Sequence, residues 1–233
     1  MEFDSWNPVY ERILDDFGFD RSADEHARDV LAGLVADVDP DARFDSDRLD
    51  EFDGQSVAIA GAAPCLADEL AVADDADLVV AASTAADVLR DGGVTVDWVV
   101  TDLDKNPDSL AEMSHAGVPV VAHAHGDNVP AVREWVPQFA SEQLLATTQA
   151  EPVPGVYNFG GFTDGDRAAF LADACGAADL RFLGWDFDDP TVDPMKAQKL
   201  AWAERLLYWL ETRRGERFSV LDGRRASLTL PTE

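Results

Sequence analysis

From Asp53 onward the chain repeats one texture. A short apolar, β-branched run is followed by a stretch with helical spacing, and the pair recurs. The runs are Val57–Gly61, Asp77–Ala82, Val96–Val100, Val118–Ala122, Gln143–Thr148 and Leu180–Leu183. The helical stretches run from Pro64 to about Val72, Thr84 to about Arg90, Pro107 to about Ala116, Val129 to about Phe139, and Thr163 to Cys175 with Gly176 at its end. Continuous apolar runs alternating with helices specify a mostly parallel sheet buried on both faces. The expected class is therefore α/β.

Both ends depart from this texture. Residues 1–52 read as a helical N-terminal subdomain, and 53–233 as the α/β domain. Trp6, Val9, Tyr10, Ile13, Leu14 and Phe17 recur at helical spacing, and Gly18 ends that helix. Ser22 with Glu25 suggests a capping box for a second helix, whose stripe is Ala27, Val30, Leu31, Leu34 and Val35. At the other end a long helix runs from Pro194 to about Arg213, with Ala197, Leu200, Ala201, Leu207 and Leu210 as its apolar face. Phe218–Leu221 and Ser227–Leu230 flank Asp222-Gly223 as a small β-hairpin.

The chemistry concentrates after the strands. Val96–Val100 runs straight into Thr101-Asp102-Leu103-Asp104. In an extended segment residues i and i+2 point the same way, so both carboxylates aim at one spot past a strand's carboxyl end. That edge is where open α/β sheets bind ligands, and two hard oxygen donors beside a phosphate make a seat for Mg²⁺. The spacing by itself carries little weight. With 33 Asp in 233 residues, chance alone supplies about 4 to 5 Asp-x-Asp pairs. The position after a hydrophobic strand is the informative part; a solvated loop is the competing reading.

Other segments fall at the same edge. Gly61-Ala-Ala-Pro64 joins a strand to a helix start, with Gly61 for close backbone approach and Pro64 at the first helical position. It matches neither a dinucleotide fingerprint nor a Walker A loop. Ser83 and Thr84 could cap the next helix or touch a nucleotide. His123-Ala-His125-Gly-Asp127-Asn follows the fourth run, and its ligand spacing does not suit zinc. His125 and Asp127 instead fit a phosphate or Mg²⁺, or an exposed turn. Gly160-Gly161-Phe-Thr163-Asp164-Gly-Asp166-Arg167 opens a helix; capping accounts for its acids, and Arg167 suits a phosphate clamp. Asp186 ends the sixth run. Lys196 and Lys199 follow on the last helix, as an anion contact or as ordinary helix surface.

The formal net charge of −28 comes from 46 acids spread along the whole chain against 18 bases. This suits a surface hydrated in very high salt and argues against nucleic acid as a partner. Cys65 and Cys175 do not make a disulfide framework. No run is long enough for a membrane span and the first residues are no signal peptide, so the expected location is the cytoplasm. Oligomeric state stays open, a homo-oligomer included.

Taken in order, these segments resemble one family. Gly61-x-x-Pro64-x-Leu, Asp97-Trp-Val-Val-Thr-Asp102-Leu-Asp104, His123-x-His125-Gly-Asp127-Asn, Asn158-Phe-Gly-Gly-Phe-Thr-Asp164-Gly-Asp166-Arg and Gly184-Trp-Asp186-Phe are similar to motifs of the archaeal 6-hydroxymethyl-7,8-dihydropterin pyrophosphokinases. The likeness covers nearly the whole chain, and the acidic composition agrees with a haloarchaeal source. The resemblance implies a catalytic domain like that of thiamine pyrophosphokinase. It also implies Mg²⁺-dependent transfer of diphosphate from ATP to a reduced pterin alcohol, releasing AMP, on the way to folate or a methanopterin-type cofactor. Under it, Asp102 and Asp104 hold the metal. Asp127 assists the metal or the incoming hydroxyl, and His125 holds a phosphate oxygen. Gly61, Pro64, Ser83 and Thr84 meet nucleotide, while Gly160, Gly161, Asp164 and Arg167 frame the acceptor or phosphates. Asp186 or Asp164 faces the amino-pyrimidine edge of the pterin. A thiamine pyrophosphokinase, a nucleotide-sugar glycosyltransferase and a non-catalytic nucleotide-binding module are the alternatives.

Overall fold

A computed structural model describes residues 1–232. Six strands form one parallel sheet: β1 (Ser56–Ala60), β2 (Leu78–Ala82), β3 (Trp98–Thr101), β4 (Val120–Ala124), β5 (Leu144–Thr148) and β6 (Asp179–Leu183). Their order is β5-β4-β3-β2-β1-β6. Each of the first five is added beside its predecessor, with Val57 opposite Leu78 and Val99 opposite Val120. The chain then returns to the far side of β1, where Ala60 lies opposite Leu183. The winding direction reverses between β1 and β6, which opens a crevice beyond their carboxyl ends.

Seven α-helices complete the layers: α1 (Phe3–Phe17), α2 (Arg21–Ala36), α3 (Ala85–Asp91), α4 (Pro107–His115), α5 (Val129–Trp135), α6 (Asp164–Ala174) and α7 (Pro194–Arg214). Ile59, Val80, Val100 and Val121 point to a layer with Trp6, Ile13, Phe170 and Leu206, so α1, α6 and α7 cover that face. Ala58, Ala81, Val99 and Ala122 point the other way, against Leu31, Leu89, Leu110 and Val132. The alternation along each strand is what the pleat requires. Among the described residues no helix is long and apolar enough to cross a membrane.

The α/β class and the strand–helix alternation hold, with shifts of a few residues. The stretch after Pro64 is two 3-10 segments, Pro64–Asp68 and Leu70–Asp75, rather than one α-helix. Asp20, not Ser22, caps α2, accepting the Ser22 N–H at 2.9 Å. On α7 the buried side is Trp202, Leu206, Leu207, Trp209 and Leu210, while Ala197 and Ala201 are exposed. The small β-hairpin does not form. Residues Ser219–Leu221 and Arg225–Ser227 make separate 3-10 turns. Arg225 pins the tail to α7 instead, donating to both carboxylate oxygens of Glu211 and, at 2.7 Å, to the Phe218 carbonyl. Side-chain clamping to the helix replaces pairing of the tail with itself.

Candidate active site

All six strand ends open on one cleft of about 530 Å³, within the size range of small-molecule sites. Gly61–Ala63 follow β1, Ser83 and Thr84 follow β2, Asp102–Lys105 follow β3, and His125–Asp127 follow β4. Gln149 follows β5, and Gly184–Asp186 follow β6. The amino ends of α6 and α7 close the sides, and Asp20, Ala23 and Asp24 bring α2 to the rim.

Asp102 and Asp104 do converge, by a route other than strand pleating. The strand stops at Thr101, and Leu103 turns into the left-handed region with φ 67°. This costs a non-glycine residue roughly 1–2 kcal/mol. Two contacts hold it: the Leu103 N–H donates to Thr101 Oγ1 at 2.9 Å, and its side chain is buried. Ser83, after β2, also has positive φ, 49°. Non-glycine residues held in that region cluster at ligand clamps and active sites.

The electrostatics of the pair are asymmetric. Burial opposes ionisation of Asp102, but the His125 imidazole at 3.6 Å, the neighbouring Asp104 carboxyl and the Arg167 charge outweigh it, holding Asp102 well below the usual carboxylate range. Burial and the Asp102 charge push Asp104 up to about 6. Burial, then the charge of Asp102, push Asp164 up to about 8, against Arg167, which donates to Asp164 Oδ1 at 3.1 Å. Asp102 Oδ1 is buried with no partner. An orphaned carboxylate oxygen beside two acids that resist ionisation is what a hard divalent cation would relieve, so the donor set fits Mg²⁺. Among the described residues no three His, Cys, Asp or Glu side chains form a ready metal cluster. Asp127 lines the cleft without completing one.

A second network shapes the loops. Asn128 donates to the Asp102 and His123 carbonyls, each at 2.7 Å, and accepts the His125 N–H at 2.9 Å, so it staples the ends of β3 and β4 together. Buried Asp24 accepts from Tyr10 Oη at 2.6 Å, from Gln149 Nε2 at 2.8 Å and from the Gly126 N–H at 2.7 Å. Gln149 in turn accepts from Arg167 at 3.3 Å. The first two helices thus hold the His125–Asp127 loop and, through Gln149, Arg167.

At the β1–β6 reversal, the Gly61 N–H donates to Leu183 O at 2.9 Å and the Ala63 N–H to Gly184 O at 3.0 Å. A Cβ on Gly61 would lie 2.5 Å from Gly184 O. Its smallness serves this backbone crossing. Trp185 Nε1 donates to Ile59 O at 3.0 Å across the same seam.

Ten of the anticipated site residues line the cleft: Gly61, Ser83, Thr84, Asp102, Asp104, His125, Asp127, Asp164, Arg167 and Asp186. Pro64, Gly160 and Gly161 do not. Pro64 starts the 3-10 turn behind it. Gly160 and Gly161 have φ near 90°; a Cβ would meet Phe170 at 3.0 Å in the first and the Arg167 backbone at 2.6 Å in the second. His123 lies buried inside β4 against Thr147, with Nδ1 3.1 Å from its hydroxyl. Asp24, Gln149 and Lys105 are cleft residues that local pattern did not single out. Asp24 looks like any acid of a helix first turn, and only its burial reveals its role.

The fold and this cleft define a doubly wound α/β protein with a charged cleft beyond the carboxyl ends of its strands, at a topological switch point. Residues 42–191 match the family model described as 6-hydroxymethylpterin diphosphokinase MptE-like. The chain belongs to that family, whose relatives span almost all of its length. It is 38% identical over 230 residues to a 6-hydroxymethyl-7,8-dihydropterin pyrophosphokinase of Methanothermobacter thermautotrophicus, covering 91% of this chain and 96% of the relative. It is 38% identical over 228 residues to one of Pyrococcus furiosus, covering 91% and 95%. A third, from Methanocaldococcus jannaschii, is 28% identical over 237 residues, covering 91% and 96%.

Proposed function

We propose that this chain transfers diphosphate from ATP to the hydroxymethyl group of 6-hydroxymethyl-7,8-dihydropterin. The observation that carries the reading is the unpartnered Asp102 Oδ1, set beside Asp104 at the mouth of the cleft in a chain whose relatives bear the pterin pyrophosphokinase name. The pterin oxygen attacks the β-phosphorus. The bond from that phosphorus to the bridging oxygen breaks, AMP leaves with the electron pair, and the hydroxyl proton passes to a base. Asp102 and Asp104 would hold Mg²⁺, which supplies charge neutralisation on the phosphates when bound. Asp127 stands ready for the incoming hydroxyl, and His125 for a phosphate oxygen. The Gly61 turn, Ser83 and Thr84 face the nucleotide. Arg167 and Asp164 lie where acceptor and phosphates meet, and Asp186 or Asp164 offers a carboxylate to the amino-pyrimidine edge. Positioning and electrostatics dominate such catalysis.

The acidic surface, with formal net charge −28, suits work in a cytoplasm of molar salt. The test is AMP release from ATP and Mg²⁺ with the reduced pterin alcohol at molar KCl, with thiamine as the parallel acceptor. AMP that appears only with the pterin supports the reading. Release only with thiamine, or with neither, overturns it.

A further inference from the structure

The chain holds three lysines, Lys105, Lys196 and Lys199, against 15 arginines and 46 acids. All three line the cleft. Eight of the arginines, Arg21, Arg28, Arg48, Arg167, Arg181, Arg214, Arg224 and Arg225, sit in ion pairs with carboxylates, and none of the other seven lines the cleft. Among the described residues none of the lysines sits in an ion pair. Three cations unpaired in a protein this acidic, two of them half-buried, are held for an anion the chain does not itself supply.

Their placement says which kind. Lys196 and Lys199 are three apart on α7 and so share one helix face. Lys199 Nζ lies 5.9 Å over the Phe162 ring, which turns it inward. Lys105 comes from the loop after β3, directly after Asp104. Burial and then the charge of Lys105 pull the Lys196 amine below its usual range, with Lys199 adding to this and Asp164 opposing it. All three lysines line the same cleft as Asp102, Asp104 and Asp164. A single carboxylate or monophosphate does not call for three converging amines; a chain of phosphates does. Lysine also suits that ligand, because its ammonium is a compact point charge that can follow shifting oxygens, whereas the arginine fork matches one planar group.

We propose that Lys105, Lys196 and Lys199 form the polyphosphate subsite of the cleft, with the first turns of α7 carrying two of the three amines onto the ligand. This rests on the reading of the cleft as a phosphoryl-donor site. Asp102 and Asp104 face the cation that accompanies the phosphates, and the lysines face the phosphate oxygens left over.

The test uses the full chain in molar KCl and inorganic tripolyphosphate with Mg²⁺ as probe, measured by titration calorimetry, beside steady-state kinetics. Wild type binds the probe. Lys196→Gln and Lys199→Gln each weaken binding at least about tenfold and raise the KM for ATP in parallel, leaving the pterin KM within about threefold, because each removes one charged hydrogen bond. Lys196→Arg recovers part of the loss. Arg90→Gln, an exposed charge on α3 away from the cleft, changes neither quantity and controls for net charge. Unchanged probe affinity and ATP KM in the triple lysine variant overturn the proposal, as does a wild type that does not bind the probe. Lysine-dependent probe binding without AMP release sustains the subsite and removes the diphosphotransfer reading. AMP release indifferent to all three lysines does the reverse.

Discussion

Asp24 and Gly126 lie 102 residues apart in sequence, and the carboxylate of one accepts the backbone N–H of the other at 2.7 Å. The same carboxylate takes Tyr10 Oη and Gln149 Nε2. A Cβ on Gly126 would lie 2.7 Å from the Ala23 methyl, so the β4 loop can dock on α2 only with glycine there. One buried acid thus sets the position of the loop bearing His125 and Asp127.

Replacing Asp24 by Ala leaves up to three donors without their acceptor. Each buried unsatisfied donor costs about 1–3 kcal/mol, and water entering the space would satisfy some of them. The expected loss is about 2–4 kcal/mol of stability, measured by denaturant unfolding at fixed salt. Turnover should fall together with stability, and Tyr10→Phe, which removes a single donor, should be much milder in both. Equal stability for wild type and Asp24→Ala would refute the role given to this network.

How much of this was legible in the sequence follows from the range of each interaction. Strand identity is local and periodic, so the six apolar runs located the strands within about two residues. The edge on which Asp102, His125 and Asp186 gather follows from strand direction alone. Strand order is not local, so the β1–β6 reversal that brings Gly61 against Gly184 could not be read from either loop. Pleat geometry misdescribed the route by which Asp102 and Asp104 meet, because Leu103 adopts a left-handed turn that its type does not advertise. On α7 the expected Leu207 and Leu210 are buried, but Trp202, Leu206 and Trp209 join them while Ala197 and Ala201 stay exposed, in a helix whose apolar residues nearly encircle it.

His123 offers a pH test of the core. It is buried in β4, and desolvation, then the charge of Arg167, lower its pKa well below the ordinary 6.5. A histidine depressed in the folded state is protonated first in the unfolded chain. Stability should therefore be unaffected by this group above about pH 6.5 and fall as pH drops below it, levelling off only below the folded pKa. Asp104 and Asp164, raised to about 6 and about 8, change stability with pH in the opposite direction, so the readout is a difference: between about pH 7.5 and 5 the wild-type denaturant midpoint should fall relative to that of His123→Gln. A variant with an unchanged slope would show that other groups carry it.

Gly61 and Gly184 make a packing prediction at the switch point. Alanine at 61 puts a methyl 2.5 Å from a backbone oxygen, and alanine at 184 does the same at 2.4 Å with φ at +69°. Backbone on both sides cannot yield as a flexible side chain would. Gly61→Ala should cost about 1–3 kcal/mol from overpacking, and Gly184→Ala about 1–2 kcal/mol more for the left-handed backbone. Gly18→Ala is the control, with φ +66° and open space around the added methyl; it should lose only the conformational part. Thermal unfolding of the three variants ranks them, and a Gly61→Ala protein as stable as wild type would mean that the two turns can separate at little cost.

Asp102 and Asp104 carry the prediction that decides the chemistry. Without a cation the pair must keep one carboxyl from ionising freely, since burial and the Asp102 charge hold Asp104 up near 6. A ligand that binds the folded state alone raises stability with its concentration, by about 2.7 kcal/mol at a hundred times its Kd. MgCl2 added at constant ionic strength should therefore raise the Tm of wild type. It should not do so for Asp102→Asn, which lacks one of the two charges and leaves its neighbour relieved of repulsion. The turnover of Asp102→Asn should drop at least about a hundredfold through lost neutralisation of the phosphates. Asp104→Asn should show a comparable loss of turnover with the fold intact. Near-normal AMP release by both single variants would take the metal away from these two residues, whatever the stability data show.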